Sequence, residues 1–166
     1  KKQLTNILGQ NTKIGIVIPT VGSIYGEGVS IYSSNNTEID DKIEAIFGAG
    51  GYVQKVDEDK VIQSAQGACL PGWDSRYVLK NLEMLRKYFP DNELSKKFII
   101  NNLRGVANML EQNESDDLQA LKNYSLKVGK PGKSITYQGI ELYEKNGFYK
   151  AIEKSHELVG EIMKKY

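Results

Sequence analysis

The chain has 166 residues, with 22 Lys plus Arg against 21 Asp plus Glu and a single cysteine. That length suffices for one core of ordinary size, or for a small α/β piece joined to a helical piece, and the net charge of +1 excludes a bulk field that recruits nucleic acid or a charged membrane. Cys69 alone excludes an internal disulfide framework and fits a reducing compartment, the cytoplasm, while no apolar run approaches the roughly 20 residues that cross a bilayer.

Gln3 to Leu8 has a helical pattern with no strand or cap before it, which leads us to expect further sequence upstream. Lys13-Ile14-Gly15-Ile16-Val17-Ile18, closed by Pro19, is a continuous β-branched run of the kind buried on both faces inside a sheet. Gly28 to Tyr32 alternates like a second strand. Ile39, Ile43, Ile46 and Phe47 recur at helical spacing over Asp40 to Phe47, and Tyr52 to Val56 reads as a third strand. With no complete parallel crossover unit, this β, β, α, β order makes a poor independent domain.

After Asp57 the pattern turns helical. Val61 to Ala68 is predicted as a helix that Leu70-Pro71-Gly72 interrupts. Val78, Leu82, Leu85 and Phe89 then recur on one face until Pro90. Leu94, Phe98, Leu103, Val106 and Leu110 mark the next helix, and its interior run Phe98-Ile99-Ile100 predicts burial by several neighbours. Ser115-Asp116-Asp117 starts another helix that ends near Gly129, with its acidic residues near the positive end of the dipole. Two more, about Ile135 to Glu144 and Tyr149 to Lys165, hinge at Asn146-Gly147, where a left-handed residue makes a good C-cap.

The polar loop Pro131-Gly132-Lys133-Ser134 runs into the first of these two, whose opening amides could hold a small carboxylate. Backbone N–H groups of Ile135 and Thr136, the hydroxyls of Ser134 and Thr136 and the charge of Lys133 form that candidate site. The plain alternative is a helix start that Ser134 caps, with Lys133 solvated. No strand followed by G-x-G-x-x-G occurs, so the loop that cradles a dinucleotide pyrophosphate is missing. His156 reads as a partly exposed residue without a role, and Cys69 has no His motif beside it that would make a catalytic thiol. No spacing reads as a metal site, Asp57-Glu58-Asp59 being a solvated turn. Lys164-Lys165-Tyr166 reads as a frayed, dipole-favourable helix end.

Taken in order, the segments from about Leu4 to Tyr166 resemble the pyrroline-5-carboxylate reductase family. Ile18-Pro19 followed by Gly26-Glu27-Gly28-Val29 is similar to that family's strand, its Met-Pro-Asn-Thr-Pro turn and its Gly-x-Gly-Val continuation. Ile46-Phe47-Gly48-Ala49-Gly50-Gly51 and Val56-Asp57-Glu58 look like its last Rossmann helix and strand. Thr136-Tyr137-Gln138-Gly139-Ile140 and Asn146-Gly147-Phe148 follow its Thr-x-x-Gly-Leu and Gly-Gly-Phe at the same spacing.

The resemblance implies an α/β fragment, residues 1–58, holding the last strands of a Rossmann-type NAD(P)-binding domain. An all-α dimerisation and substrate-binding domain, residues 59–166, of the 6-phosphogluconate dehydrogenase C-terminal-like type follows it. It implies NADP or NAD as cofactor, beside Pro19 and Thr20, in the reduction of a cyclic imine carboxylate such as 1-pyrroline-5-carboxylate. Lys133, Ser134, Ile135, Thr136, Cys69 and Pro71 would bind the substrate, with Ser134 and Thr136 catalytic, in a cytoplasmic homodimer free of metal, nucleic acid and membrane. Trp73 is either a wall of that site or core filling.

Three segments depart from the family. Its Met-Pro-Asn-Thr-Pro is Ile18-Pro19-Thr20-Val21-Gly22 here, its Ser-Gly-Ser-Gly-Pro-Ala-Tyr is Gly67 to Trp73, and its Ser-Pro-Gly-Gly-Thr-Thr is Lys130 to Thr136 with an added residue before Ser134. These changes leave open a catalytically silent or altered-substrate relative that keeps the dimer scaffold and binds a small acid.

Overall fold

A computed structural model of the chain describes residues 2–89, 91–112, 117–132 and 134–164. Pro90, Ser115, Asp116, Lys133, Lys165 and Tyr166, read above as helix stop, helix start, anion partner and frayed end, lie outside the described residues. The chain divides into two compact units, one of Lys1–Ser75 with His156–Tyr166 and one of Arg76–Ser155.

The first unit holds helix α1 (Lys2–Leu8), strand β1 (Gly15–Pro19), a 3-10 turn (Val21–Tyr25), β2 (Gly28–Ser34), α2 (Thr37–Phe47), β3 (Gly51–Lys55) and α3 (Glu58–Gln63). It also takes the start of α4 (Ala65–Tyr88) and the end of α8 (Phe148–Met163). The three strands form one sheet in the order β1-β2-β3. β1 and β2 run antiparallel with Val17 opposite Tyr32, and β2 and β3 run parallel with Tyr32 opposite Lys55.

Two expectations are corrected here. β2, α2 and β3 make a complete parallel crossover, which the short spacing had concealed. β1 does not lie inside the described sheet; it pairs only with β2, antiparallel, and Ile16, Val17 and Ile18 are half-buried. An unbroken β-branched run reports a strand well, but not how many neighbours it has, because backbone pairing is independent of side-chain type.

The sheet is fastened to α2 by its central strand. Tyr32 is 1% exposed and its hydroxyl donates to Glu44 Oε1 at 2.6 Å. Burial, then the bond to Glu44, push the Tyr32 phenol well above its ordinary range. Asp40 of α2 accepts from Ser34 and from Lys55 Nζ, the latter at 2.6 Å, so one carboxylate ties β2 and β3 to the helix. Asn36 caps α2 by accepting from the Glu38 amide at 3.0 Å, the short polar side chain that a helix start favours. α3 lies against β1 and β2 and buries Val61 completely.

Glycine permits a close backbone approach at one corner. A β-carbon on Gly28 would stand 2.0 Å from Ser23 Oγ and 2.4 Å from its amide nitrogen, and one on Gly51 would stand 2.2 Å from the Gly28 carbonyl oxygen. Gly51 also has φ of 131°, a conformation that L side chains rarely adopt. Thr20 closes the same corner, its amide donating to the Val29 carbonyl at 2.9 Å and its hydroxyl accepting from the Val29 amide at 3.0 Å.

The second unit contains the rest of α4, then α5 (Asn92–Glu111), α6 (Asp117–Val128), α7 (Ile135–Lys145) and the start of α8. Asp91 caps α5 by accepting from the amides of Glu93 and Leu94, and Ser95, wholly buried, donates to the Phe89 carbonyl at 3.0 Å. Gly147, at φ 75°, ends α7 in the left-handed conformation expected of it, with its amide on the Glu144 carbonyl. Tyr77, Tyr143 and Tyr149 gather round Phe148, with ring centroids 5.0 to 6.1 Å from it.

Helix interruption at Leu70-Pro71-Gly72 is also corrected. The break falls at Ser64, whose hydroxyl donates to the Val61 carbonyl at 2.7 Å, and α4 continues through Pro71. A helix of 24 residues has enough hydrogen bonds on either side to absorb the one that proline removes. Phe98-Ile99-Ile100 is not enclosed by several neighbours: Phe98 is 44% exposed, and Ile99 and Ile100 are half-buried. Leu94, Leu103, Val106 and Leu110 are exposed on the same helix.

Two measurements test this account. Gly28→Ala should lower stability in urea by on the order of 3 kcal/mol, because the Ser23 backbone nitrogen and α-carbon, and not its hydroxyl alone, occupy the space. Ser23→Ala, which deletes a buried hydroxyl that has no partner among the described residues, should leave stability unchanged or raise it by about 1 kcal/mol.

A third concerns Glu38, held down at about 2 by hydrogen bonds from Lys13 and then Lys42. A carboxyl whose folded value is depressed stabilises the fold above its unfolded value, about 4.3, and loses that contribution as pH falls towards the folded one. Wild type should therefore lose stability between about pH 4.3 and pH 2 more steeply than Glu38→Gln, as followed by thermal melts across that range.

Candidate functional site

The opening of α7 is the structure's counterpart of the predicted anion site. Ser134 has extended backbone angles and its Oγ accepts from the Tyr137 amide at 3.0 Å. The plain capping role is thus realised for that amide. The amides of Ile135 and Thr136 come earlier in the turn and have no residue four positions back within the helix to bond. Ile135 is 89% exposed and Thr136 is exposed, so this turn stands on the surface of its unit.

Beneath it, Gly129 is buried, and a β-carbon there would lie 3.2 Å from Ile140 Cδ1 and 3.4 Å from the Tyr137 nitrogen. That packing sets the end of α6 against the start of α7. Between them Gly132 turns at φ 70°, and the Ser134 amide donates to the Lys130 carbonyl at 3.3 Å. That hydrogen bond joins the end of the loop to the residue that caps α7.

The other predicted residues belong to the first unit. Pro19 ends β1 and Thr20 follows it, next to an antiparallel partner rather than at the end of a parallel strand. Thr20 Oγ1 already accepts from the Val29 amide, which leaves its hydroxyl hydrogen to donate to a ligand acceptor. The family resemblance assigns these two residues to one end of a nicotinamide cofactor. Nothing in the chain supplies the glycine-rich strand-to-helix turn that holds its phosphates.

Cys69 and Pro71 lie on α4, both half-buried, between exposed Gly67 and Gly72. Trp73, on the same helix, packs edge-to-face on His156 with ring centroids 4.8 Å apart. Its observed partner is thus a side chain. His156 Nδ1 also lies 3.3 Å from Gln66 Oε1. The partly exposed surface residue of the sequence reading therefore has a packing role, carried by an (i, i+90) contact that no local pattern encodes. Among the described residues, no group of three or more His, Cys, Asp or Glu side chains is placed to hold a metal ion, and no helix is long and apolar enough to cross a membrane.

A small mixed sheet with one crossover is followed by a mostly helical region, a fold found in solved pyrroline-5-carboxylate reductases. Three solved structures share it. The chain superposes on the Plasmodium falciparum pyrroline carboxylate reductase with NADP bound at a TM-score of 0.84 and 25% identity, over 98% of this chain and 65% of that one. A pyrroline-5-carboxylate reductase from Coxiella burnetii gives 0.77 at 20% identity over 99% and 61%. The 1-pyrroline-5-carboxylate reductase from Streptococcus pyogenes gives 0.83 at 12% identity over 99% and 63%. The chain therefore spans under two thirds of the length of each.

No family model and no curated protein matches the sequence. The pyrroline-5-carboxylate reductase family read from the motifs is supported by these structural likenesses.

Ser134→Ala tests the local geometry. Loss of the cap should cost about 1 kcal/mol and increase amide hydrogen exchange over the first turn of α7. An unchanged exchange rate at Tyr137 would show that its amide is satisfied by another group.

Proposed function

We propose that this chain is part of an NAD(P)H-dependent reductase of a cyclic imine carboxylate, with 1-pyrroline-5-carboxylate reduced to L-proline as the simplest case. The observation that carries the reading is the superposition on a pyrroline carboxylate reductase holding NADP, over 98% of this chain. The Thr136 and Asn146-Gly147-Phe148 motifs occur at the family's spacing within it. The reaction needs no side-chain nucleophile, since the nicotinamide supplies hydride and the protein supplies position.

In this proposal the amides of Ile135 and Thr136, with the hydroxyl of Thr136 and Lys133, hold the substrate carboxylate. Ser134 keeps α7 wound so that those amides converge, and its hydroxyl, together with that of Thr136, is assigned to the reacting end of the substrate. Pro19 and Thr20 border the nicotinamide, and Cys69 and Pro71 line the substrate. The cofactor is NADP or NAD. The working form is a homodimer in the cytoplasm, because the apolar residues left exposed along α5, from Leu94 to Leu110, call for a covering surface.

One observation favours a second reading, a silent or altered-substrate relative: Thr20 stands where the family has Asn. Oxidation of NADPH by the complete gene product in the presence of 1-pyrroline-5-carboxylate separates the two. Turnover is expected, with Thr136→Val reducing kcat/KM by about 10-fold to 100-fold, the loss of one hydrogen bond to a charged group. Binding of L-proline without turnover of any imine would establish the silent relative.

A further inference from the structure

We infer that α4 and α8 form a hinge, each bending at a weakened turn where it passes between the two compact units, with the two turns side by side. α4 leaves the first unit between Ser75 and Arg76, and α8 enters it between Ser155 and His156. The hinge does not depend on the imine-reductase reading.

Local chemistry weakens both helices at these points. Ser75 Oγ donates to the Gly72 carbonyl at 2.8 Å, and Ser155 Oγ donates to the Ala151 carbonyl at 2.9 Å. Each is the single serine of its helix. A hydroxyl that bonds a carbonyl of the preceding turn competes with the backbone ladder, and such serines bend helices. In α4 the turn before Ser75 also holds Pro71 and Gly72. Proline has no N–H to give to the carbonyl one turn back and its ring crowds that carbonyl, while a neighbouring glycine offers the backbone least resistance to bending.

Packing leaves room for the motion. No residue of α4 or α8 is fully buried, and a β-carbon built on Gly72 meets no atom within 4 Å.

Two crossings far apart would brace the units against each other, whereas adjacent ones share an axis. Within the first unit, Trp73, just before Ser75, packs edge-to-face on His156, which follows Ser155, with ring centroids 4.8 Å apart. His156 Nδ1 also lies 3.3 Å from Gln66 Oε1 at the start of α4. The two helices are thus pinned together on the first-unit side of both crossings. Bending at Ser75 and Ser155 reorients the units without disturbing either core, the way a hinge confines a large motion to a few backbone angles.

Spin labels at Lys60→Cys on α3 and Lys87→Cys near the end of α4 test the hinge in the complete gene product. Every native cysteine is changed to serine, and labelled protein is diluted in unlabelled protein so that only pairs within one chain are read. Pulsed dipolar spectroscopy should give a distance distribution about twofold wider, or more, than in a variant that also carries Pro71→Ala, Gly72→Ala, Ser75→Ala and Ser155→Ala, which straightens both helices. Equal widths would overturn the hinge. Amide hydrogen exchange on the unsubstituted protein gives a second reading that does not need the variant to fold. Protection at Gly72 to Ser75 should be about tenfold lower than at Leu82 to Lys87 of the same helix, and equal protection of the two stretches would likewise overturn the hinge.

Discussion

The hydrogen bond from buried Tyr32 to Glu44 is the contact on which the α/β unit is organised. It lies on the central strand, with Val17 on one side and Lys55 on the other, and it anchors the crossover helix α2 over that strand. A phenol in this position fills volume as an apolar residue does and still satisfies its polar end, so the core gains a fixed register as well as burial. Asp40 repeats the device one turn earlier, reaching Ser34 and Lys55. Two carboxylates on one face of α2 thus set where β2 and β3 lie, and through β2 where Pro19 and Thr20 end.

The corner next to those residues follows a different constraint, that of backbone approaching backbone. Ser23 occupies the space that a side chain at position 28 would need, and Gly51 meets Gly28 across the parallel pair. Thr20 adds two hydrogen bonds to Val29. A turn held by main-chain contacts changes shape less with the loss of any one side chain than one held by packing, which suits a position that borders a cofactor in the proposed function.

The helical unit is held differently. Its helices begin at good caps, Asp91 and Ser134, and its aromatic residues collect at the Gly147 turn, yet α5 keeps a stripe of large apolar side chains in the open. Caps and turns settle where helices begin and end, and they settle nothing about how many surfaces a helix touches. Much of this unit's apolar surface is therefore available to a partner, in keeping with the homodimer proposed.

Most helices, turns and strands were legible in the sequence, the exceptions being the break at Ser64 and the continuity of α4 through Pro71. They were legible because they rest on short-range chemistry: Ser134 as a cap, Gly147 as a left-handed stop, and apolar residues three and four apart. The spacing around Thr136 and Phe148 carried the family resemblance that the superpositions support. The tertiary structure settled that β1 pairs antiparallel and, among the described residues, with β2 alone, and that β2 and β3 enclose a crossover. It also decided that His156 packs on Trp73 and that α4 runs unbroken through Pro71. Those outcomes depend on contacts between residues far apart in the chain, or on a helix long enough to outweigh one bad residue, and neither is written in any local window.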